Sequence, residues 1–238
     1  MRLTEQFRPK WTHLIAQLNG DLSQADAVYD QLVAHYTGPD RHYHDFAHIV
    51  WMLNLLPQMA VELENRPAVE LAIWFHDVIY EVGTGLDNEQ ASADFSAEVL
   101  GRLHISQDEI QTVKTLILDT KHHQRPATWD GCVLVDLDLS QLGNSAEQFA
   151  HDTANIRREY QIFPDAQFWP GRRQVLQLFL NRDQIYYTEP FYKRFEASAR
   201  RNLADSIVAI NQGYPIAEEG IAKDAKGSQR NAKKNLHN

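Results

Sequence analysis

The chain has 238 residues, 43% of them hydrophobic, enough apolar material for one sizeable helical domain or two small ones. Its formal net charge is −9, from 32 acidic and 23 basic side chains, and no long basic stripe runs through it, which argues against a nucleic-acid partner. A small anionic substrate stays compatible, because local charge in a pocket can oppose the global sign.

The N-terminus, Met1-Arg2-Leu3-Thr4-Glu5-Gln6, lacks the apolar core of a signal peptide, and no run approaches the length of a membrane span. Ser23 with Asp26 reads as a capping box, after which Val28, Tyr29, Leu32, Val33 and Tyr36 recur at helical spacing. Gly38-Pro39 ends that helix. A histidine-rich turn, Arg41-His42-Tyr43-His44-Asp45-Phe46-Ala47-His48, leads into a helix carrying Ile49, Met52, Leu53 and Leu56 that stops near Pro57. Pro67 at an early helical position opens another, with Val69, Leu71, Ala72, Trp74 and Phe75, and His76-Asp77 near its end.

Gly83-Thr84-Gly85 breaks the chain. Asp87 with Gln90 then caps a helix of Ala91, Phe95, Val99 and Leu100, and Ser106 with Glu109 caps one of Ile110, Val113, Leu116 and Ile117 that runs toward Lys121-His122-His123. The run Cys132 to Ser140 has no partner strand in this sequence, so it reads as a buried helix or an extended segment. Cys132 is the one cysteine, so it excludes an intrachain disulfide and fits a reducing, cytoplasmic setting. Its plain role is a small buried apolar group.

Ser145 starts a helix reaching Tyr160, residues 172–181 form another, and Thr188-Glu189-Pro190 opens a long last helix with Phe191, Phe195, Ala199, Leu203 and Ile207, closed by Gly213. Residues 1–215 read as a single all-α domain without internal repeats, and the polar segment 216–238 as a disordered tail.

The chemistry concentrates in the histidine-rich turn and in Phe75-His76-Asp77. A carboxylate and an imidazole adjacent within an apolar run cost several kcal/mol to bury unless something neutralises them. A divalent cation does so. His44 and His48, four apart, fall on one face if both are helical. His48, His76 and Asp77, with Asp138 or its neighbour Asp136, make a mixed nitrogen and oxygen donor set with positions left for water. Mn, Fe, Ni, Zn or Mg would suit it. A metal-bound water of lowered pKa is a nucleophile at neutral pH.

These motifs resemble the HD-domain superfamily of metal-dependent phosphohydrolases, over residues 41–140. The turn Tyr43-His44-Asp45-Phe46-Ala47-His48 and the triple Asp138-Leu139-Ser140 are similar to segments of its cyclic-nucleotide phosphodiesterase branch, although Asp45 stands where that branch has Asn and its catalytic domain is much longer. Asp87-Asn88-Glu89-Gln90-Ala91-Ser92-Ala93 and Ala199-Arg200-Arg201-Asn202-Leu203 resemble small bacterial members described only as predicted phosphohydrolases. The resemblance implies an all-α fold, with His48, His76, Asp77 and Asp138 as metal ligands and His44 as general acid. It also implies a second-metal or supporting role for His122 or His123, with Asp77 bridging as a catalytic ligand, the alternative being an exposed pair at a helix end that complements its dipole, and places Glu89 near the site as a supporting acceptor.

Phosphate recognition needs a cation, and Arg41, Lys121, Arg172 and Arg182 are the candidates. The function expected is hydrolysis of a phosphate ester or anhydride of a small nucleotide-like molecule. The rivals are a non-catalytic nucleotide-binding protein of the same scaffold and a di-iron oxygenase.

Overall fold

The computed structural model describes residues 2–213, and among them every regular element is helical. The helices are α1 (Leu3–Gln17), α2 (Leu22–Tyr36), α3 (Phe46–Leu55), α4 (Arg66–Phe75), α5 (Asn88–Arg102), α6 (Gln107–Asp119), α7 (Trp129–Leu139), α8 (Ala146–Glu159), α9 (Asp165–Leu180) and α10 (Glu189–Asn211). Short 3₁₀ turns follow α3 at Leu56–Gln58 and α7 at Ser140–Gly143. The tail expected at 216–238 lies outside the described residues. No helix among those described is long and apolar enough to cross a membrane.

Local chemistry accounts for most helix starts. Asp87 accepts a hydrogen bond from Gln90 N and Ser106 from Glu109 N, satisfying orphan donors of the first turns of α5 and α6. The start of α2 differs from expectation. Asp21 is its cap, accepting from Ser23 N at 2.9 Å, so the helix begins before the Ser23–Asp26 pair. Helix α9 begins at Asp165, well before Arg172, because Pro170 lies near its start and deletes a single ladder hydrogen bond there. Helix α1 was absent from the sequence reading. Pro9 and a largely polar surface dilute its pattern, yet Phe7, Trp11, Leu14 and Ile15 are all buried.

The segment around Cys132 is a helix, α7, capped by Thr128 through Gly131 N. It packs against α3, α4 and α6, and Val133, Leu134, Val135 and Leu137 are all sealed from solvent. A helix buried on every side has no polar stripe and therefore no period to read. Cys132 is a free, buried thiol within it.

One buried apolar cluster runs from Phe7 in α1 to Leu203 in α10. Its aromatic centre stands behind α4. The Trp11 ring meets Trp74 at 5.8 Å and Phe75 at 6.1 Å, and Tyr29 meets Trp74 at 5.8 Å. Tyr36 donates its hydroxyl to Trp74 O. These contacts fix the end of α4, where His76 and Asp77 follow.

Candidate metal centre

Three elements that neighbour one another in the core converge on one point. Asp45 caps α3, accepting from Ala47 N at 2.8 Å and His48 N at 3.1 Å, and thereby sets the first turn that carries His48. His76 is the residue that closes α4. Asp138 lies near the end of α7. His48 and His76 are 2% and 1% exposed, so both imidazoles are inside the protein. Because Asp45 is the cap, His44 precedes the helix, and the expected shared helical face of His44 and His48 does not form.

Ligand atoms of His48, His76 and Asp138 all lie within 4.8 Å of one another. His48 Nε2 is 3.3 Å from His76 Nε2 and 3.2 Å from Asp138 Oδ1, and Asp77 Oδ2 is 3.2 Å from His76 Nε2. Two ligands each about 2.1 Å from one ion, at tetrahedral to octahedral angles, stand about 3.0–3.4 Å apart. The His48–His76, His48–Asp138 and His76–Asp77 spacings match that geometry, whereas His76 Nε2 to Asp138 Oδ1 is longer at 3.7 Å, and Asp77 stands outside the His48, His76 and Asp138 group that converges within 4.8 Å.

Proton positions agree with it. His48 Nδ1 donates to Gln141 Oε1 at 2.8 Å, and His76 Nδ1 donates to Ile73 O at 3.0 Å. In a neutral imidazole each Nε2 then carries a lone pair, aimed at the other and at a carboxylate. Such a focus of electron pairs calls for a positive charge. Burial opposes charging His76, but Asp77 and Asp138 overcome it and hold its pKa well above the ordinary value. Burial likewise pushes Asp138 up, and hydrogen bonds from His123, His48 and His76 pull it well below the carboxylate range. A proton or a metal ion satisfies the same demand, and the donor set fits a divalent transition ion.

His123 closes the group from the other side, its Nε2 2.7 Å from Asp138 Oδ2. Its backbone is left-handed, φ 47°, a conformation uncommon outside glycine. Arg182 and Tyr187 both donate to the His123 carbonyl and hold it. The neighbouring His122 is exposed, and Arg182 takes its carbonyl as well.

His44 stands beside this centre, anchored by a residue that the sequence reading missed. Glu159, the last residue of α8, accepts three backbone N–H groups through Oε1, from His42, Tyr43 and His44, at 2.8, 2.8 and 2.9 Å. Its Oε2 meets His44 Nδ1 at 2.7 Å. Burial pushes the Glu159 carboxyl up, and His44 with those amides pulls it down to about 2. Tyr80 stacks on the His44 ring at 4.0 Å, and Tyr43 meets it edge-on at 4.8 Å. No local signal marks Glu159, which lies over a hundred residues from the turn that it organises and follows two arginines as a surface carboxylate would.

Other candidates have different roles. Asp136 is fully buried and holds the residues that lead into α10, accepting from Tyr187 N, Thr188 N and Thr188 Oγ1, each at 2.7 Å. Burial raises its pKa to about 6 against the pull of those donors. Its neighbour Asp138 is therefore the late carboxylate at the centre. Arg41 is committed to carbonyls, donating to His44 O, Asp77 O and Val78 O at 2.7–2.9 Å. It clamps the histidine turn to the His76-Asp77 segment and has no fork free for phosphate. Lys121 pairs with Asp87 at the surface, and Glu89, in the first turn of α5, sits beside that pair rather than against a ligand histidine.

A cavity of about 390 Å³ opens beside His48, walled by Tyr43, Trp51, Gln141, Asn144 and Asp152. Two buried polar atoms on its walls, Asn144 Nδ2 and Asp152 Oδ2, have no partner among the described residues. Compared with known proteins, the chain matches no family model, no curated protein and no solved structure.

Proposed function

We propose that the chain is a metal-dependent phosphohydrolase of the HD type, acting on a phosphate ester or anhydride of a small molecule. One observation carries this reading: two imidazole lone pairs and an aspartate converge in the interior at metal-ligand spacing, with a carboxylate-held histidine beside them. His48, His76, Asp77 and Asp138 would hold a divalent ion. Such an ion, when bound, polarises a phosphoryl oxygen and lowers the pKa of a coordinated water.

The chain's own residues supply the rest. Gln141 and Ile73 O fix the two ligand imidazoles in the tautomer that presents Nε2. His123 orients Asp138. Glu159 binds Nδ1 of His44 and leaves Nε2 as the nitrogen that holds or delivers a proton, the role of a general acid toward a leaving oxygen. The cavity has the volume of a small-ligand site. A cytoplasmic setting belongs to the same proposal.

The test is metal content and turnover of protein purified without chelator. About one equivalent of transition metal is expected in the wild type and in Asp136→Asn, and none in His76→Ala or Asp138→Asn. His44→Ala should keep the metal and lose turnover on a phosphate-ester panel by at least about a hundredfold. A wild-type protein that stays metal-free after reconstitution overturns the proposal.

A further inference from the structure

Four cations were candidates for holding a phosphate, and the structure commits three of them elsewhere. Arg41 is saturated by carbonyls, Lys121 is paired with Asp87, and Arg182 is bound to the carbonyls of His122 and His123. Arg172 is different. No hydrogen bond or ion pair joins it to any described residue, and its Nε is sealed from solvent without a partner. In a chain with 32 acidic side chains, a half-buried guanidinium with no carboxylate beside it is an arrangement that an anionic ligand would complete.

Its direction follows from its helix. Phe168 and Leu176 are the buried residues of α9, and Arg172 lies four residues from each, on the same inward face. The Phe168 ring meets Tyr160 at 5.8 Å, the Tyr160 hydroxyl is 3.1 Å from that of Tyr80, and Tyr80 stacks on His44. Tyr43 meets His44 edge-on and lines the cavity beside His48. Tyr43, Tyr160 and Tyr80 are the titratable groups that act electrostatically on Arg172. Arg172 thus lies on the inward face of α9, near the phenols that neighbour the histidine beside the metal centre.

We infer that Arg172, with the hydroxyls of Tyr43, Tyr80 and Tyr160, forms a subsite for a phosphate group of the substrate on the His44 side of the centre. A guanidinium presents a planar fork to phosphate oxygens, and phenol hydroxyls add neutral donors that require no counter-charge. The subsite rests on the phosphohydrolase reading for its role, but its occupancy needs neither metal nor turnover. It also explains how a strongly acidic protein accepts an anionic substrate.

The test is binding of inorganic phosphate to chelator-treated full-length protein by calorimetry, at constant ionic strength. Wild type should bind, and Arg172→Met, which keeps the apolar stem, should bind at least tenfold more weakly. Arg172→Lys keeps the charge without the fork and should fall between them. Lys121→Ala, at a cation paired with Asp87 on the surface, should bind phosphate as wild type does. Undiminished affinity in folded Arg172→Met overturns the inference, as does undiminished affinity in Arg172→Lys should the Met variant not fold. A protein that binds phosphate through Arg172 yet never takes up metal keeps the subsite and loses only the hydrolase reading.

Discussion

Glu159 brings a charge to a place where its side chain is 1% exposed and uses both oxygens there. Its carboxyl titrates at about 2 in the folded chain against an ordinary 4.5. The depressed value means that this contribution to stability is complete above about pH 4.5 and is lost as pH falls from there to about 2. Glu159→Gln should therefore cost about 3 kcal/mol at neutral pH in denaturant unfolding, and the gap to wild type should close in acid. A gap that stays constant with pH would assign the effect to hydrogen-bond geometry instead of charge. The ligand candidates were legible as residues, because an adjacent His-Asp pair in an apolar run has few structural uses. Glu159 and Gln141 were not, since each meets its histidine from another helix or turn far along the chain.

At the scale of elements, α1 braces α4 through Trp11, which is fully buried and donates its indole N–H to Ala25 O. Trp11→Ala should destabilise the fold by about 3–5 kcal/mol, as large-to-small core changes do. It should also weaken metal affinity, because the ring that it removes backs Trp74 and Phe75 directly before His76. Unfolding curves together with metal titrations of the variant check both effects. If metal affinity is unchanged in the folded variant, α4 is held by its other neighbours alone. Helices with one wet face, such as α5 and α6, could be read from caps and spacing. Helix α7 could not be assigned firmly, because burial on all sides removes the contrast that periodicity depends on.

For the whole molecule, the candidate ligands join α3, α4 and α7, so an ion bound to them adds a tie between segments already joined by packing and by the His48–Gln141 and Trp51–Ser140 hydrogen bonds. Anything that binds the folded state alone stabilises it, by about 2.7 kcal/mol at a hundredfold excess over Kd. Chelation of metal-loaded protein should then lower Tm by about 5–10 °C for a chain of this size. The same treatment should leave His76→Ala unmoved. An identical drop in that variant would place the stabilising ion elsewhere.

The sequence by itself determined the helical class and the residue types able to hold a metal, because caps, spacing and adjacent His-Asp chemistry are local properties. The choice of Asp138 over Asp136 was tertiary. Two aspartates two apart on a buried helix point in different directions, one to the imidazoles and one to the start of α10. The fate of the arginines was tertiary as well, since a guanidinium is defined by what surrounds it. Arg41 is closed by carbonyls that the fold brings to it, and Arg172 is left open among phenols contributed by three separate segments.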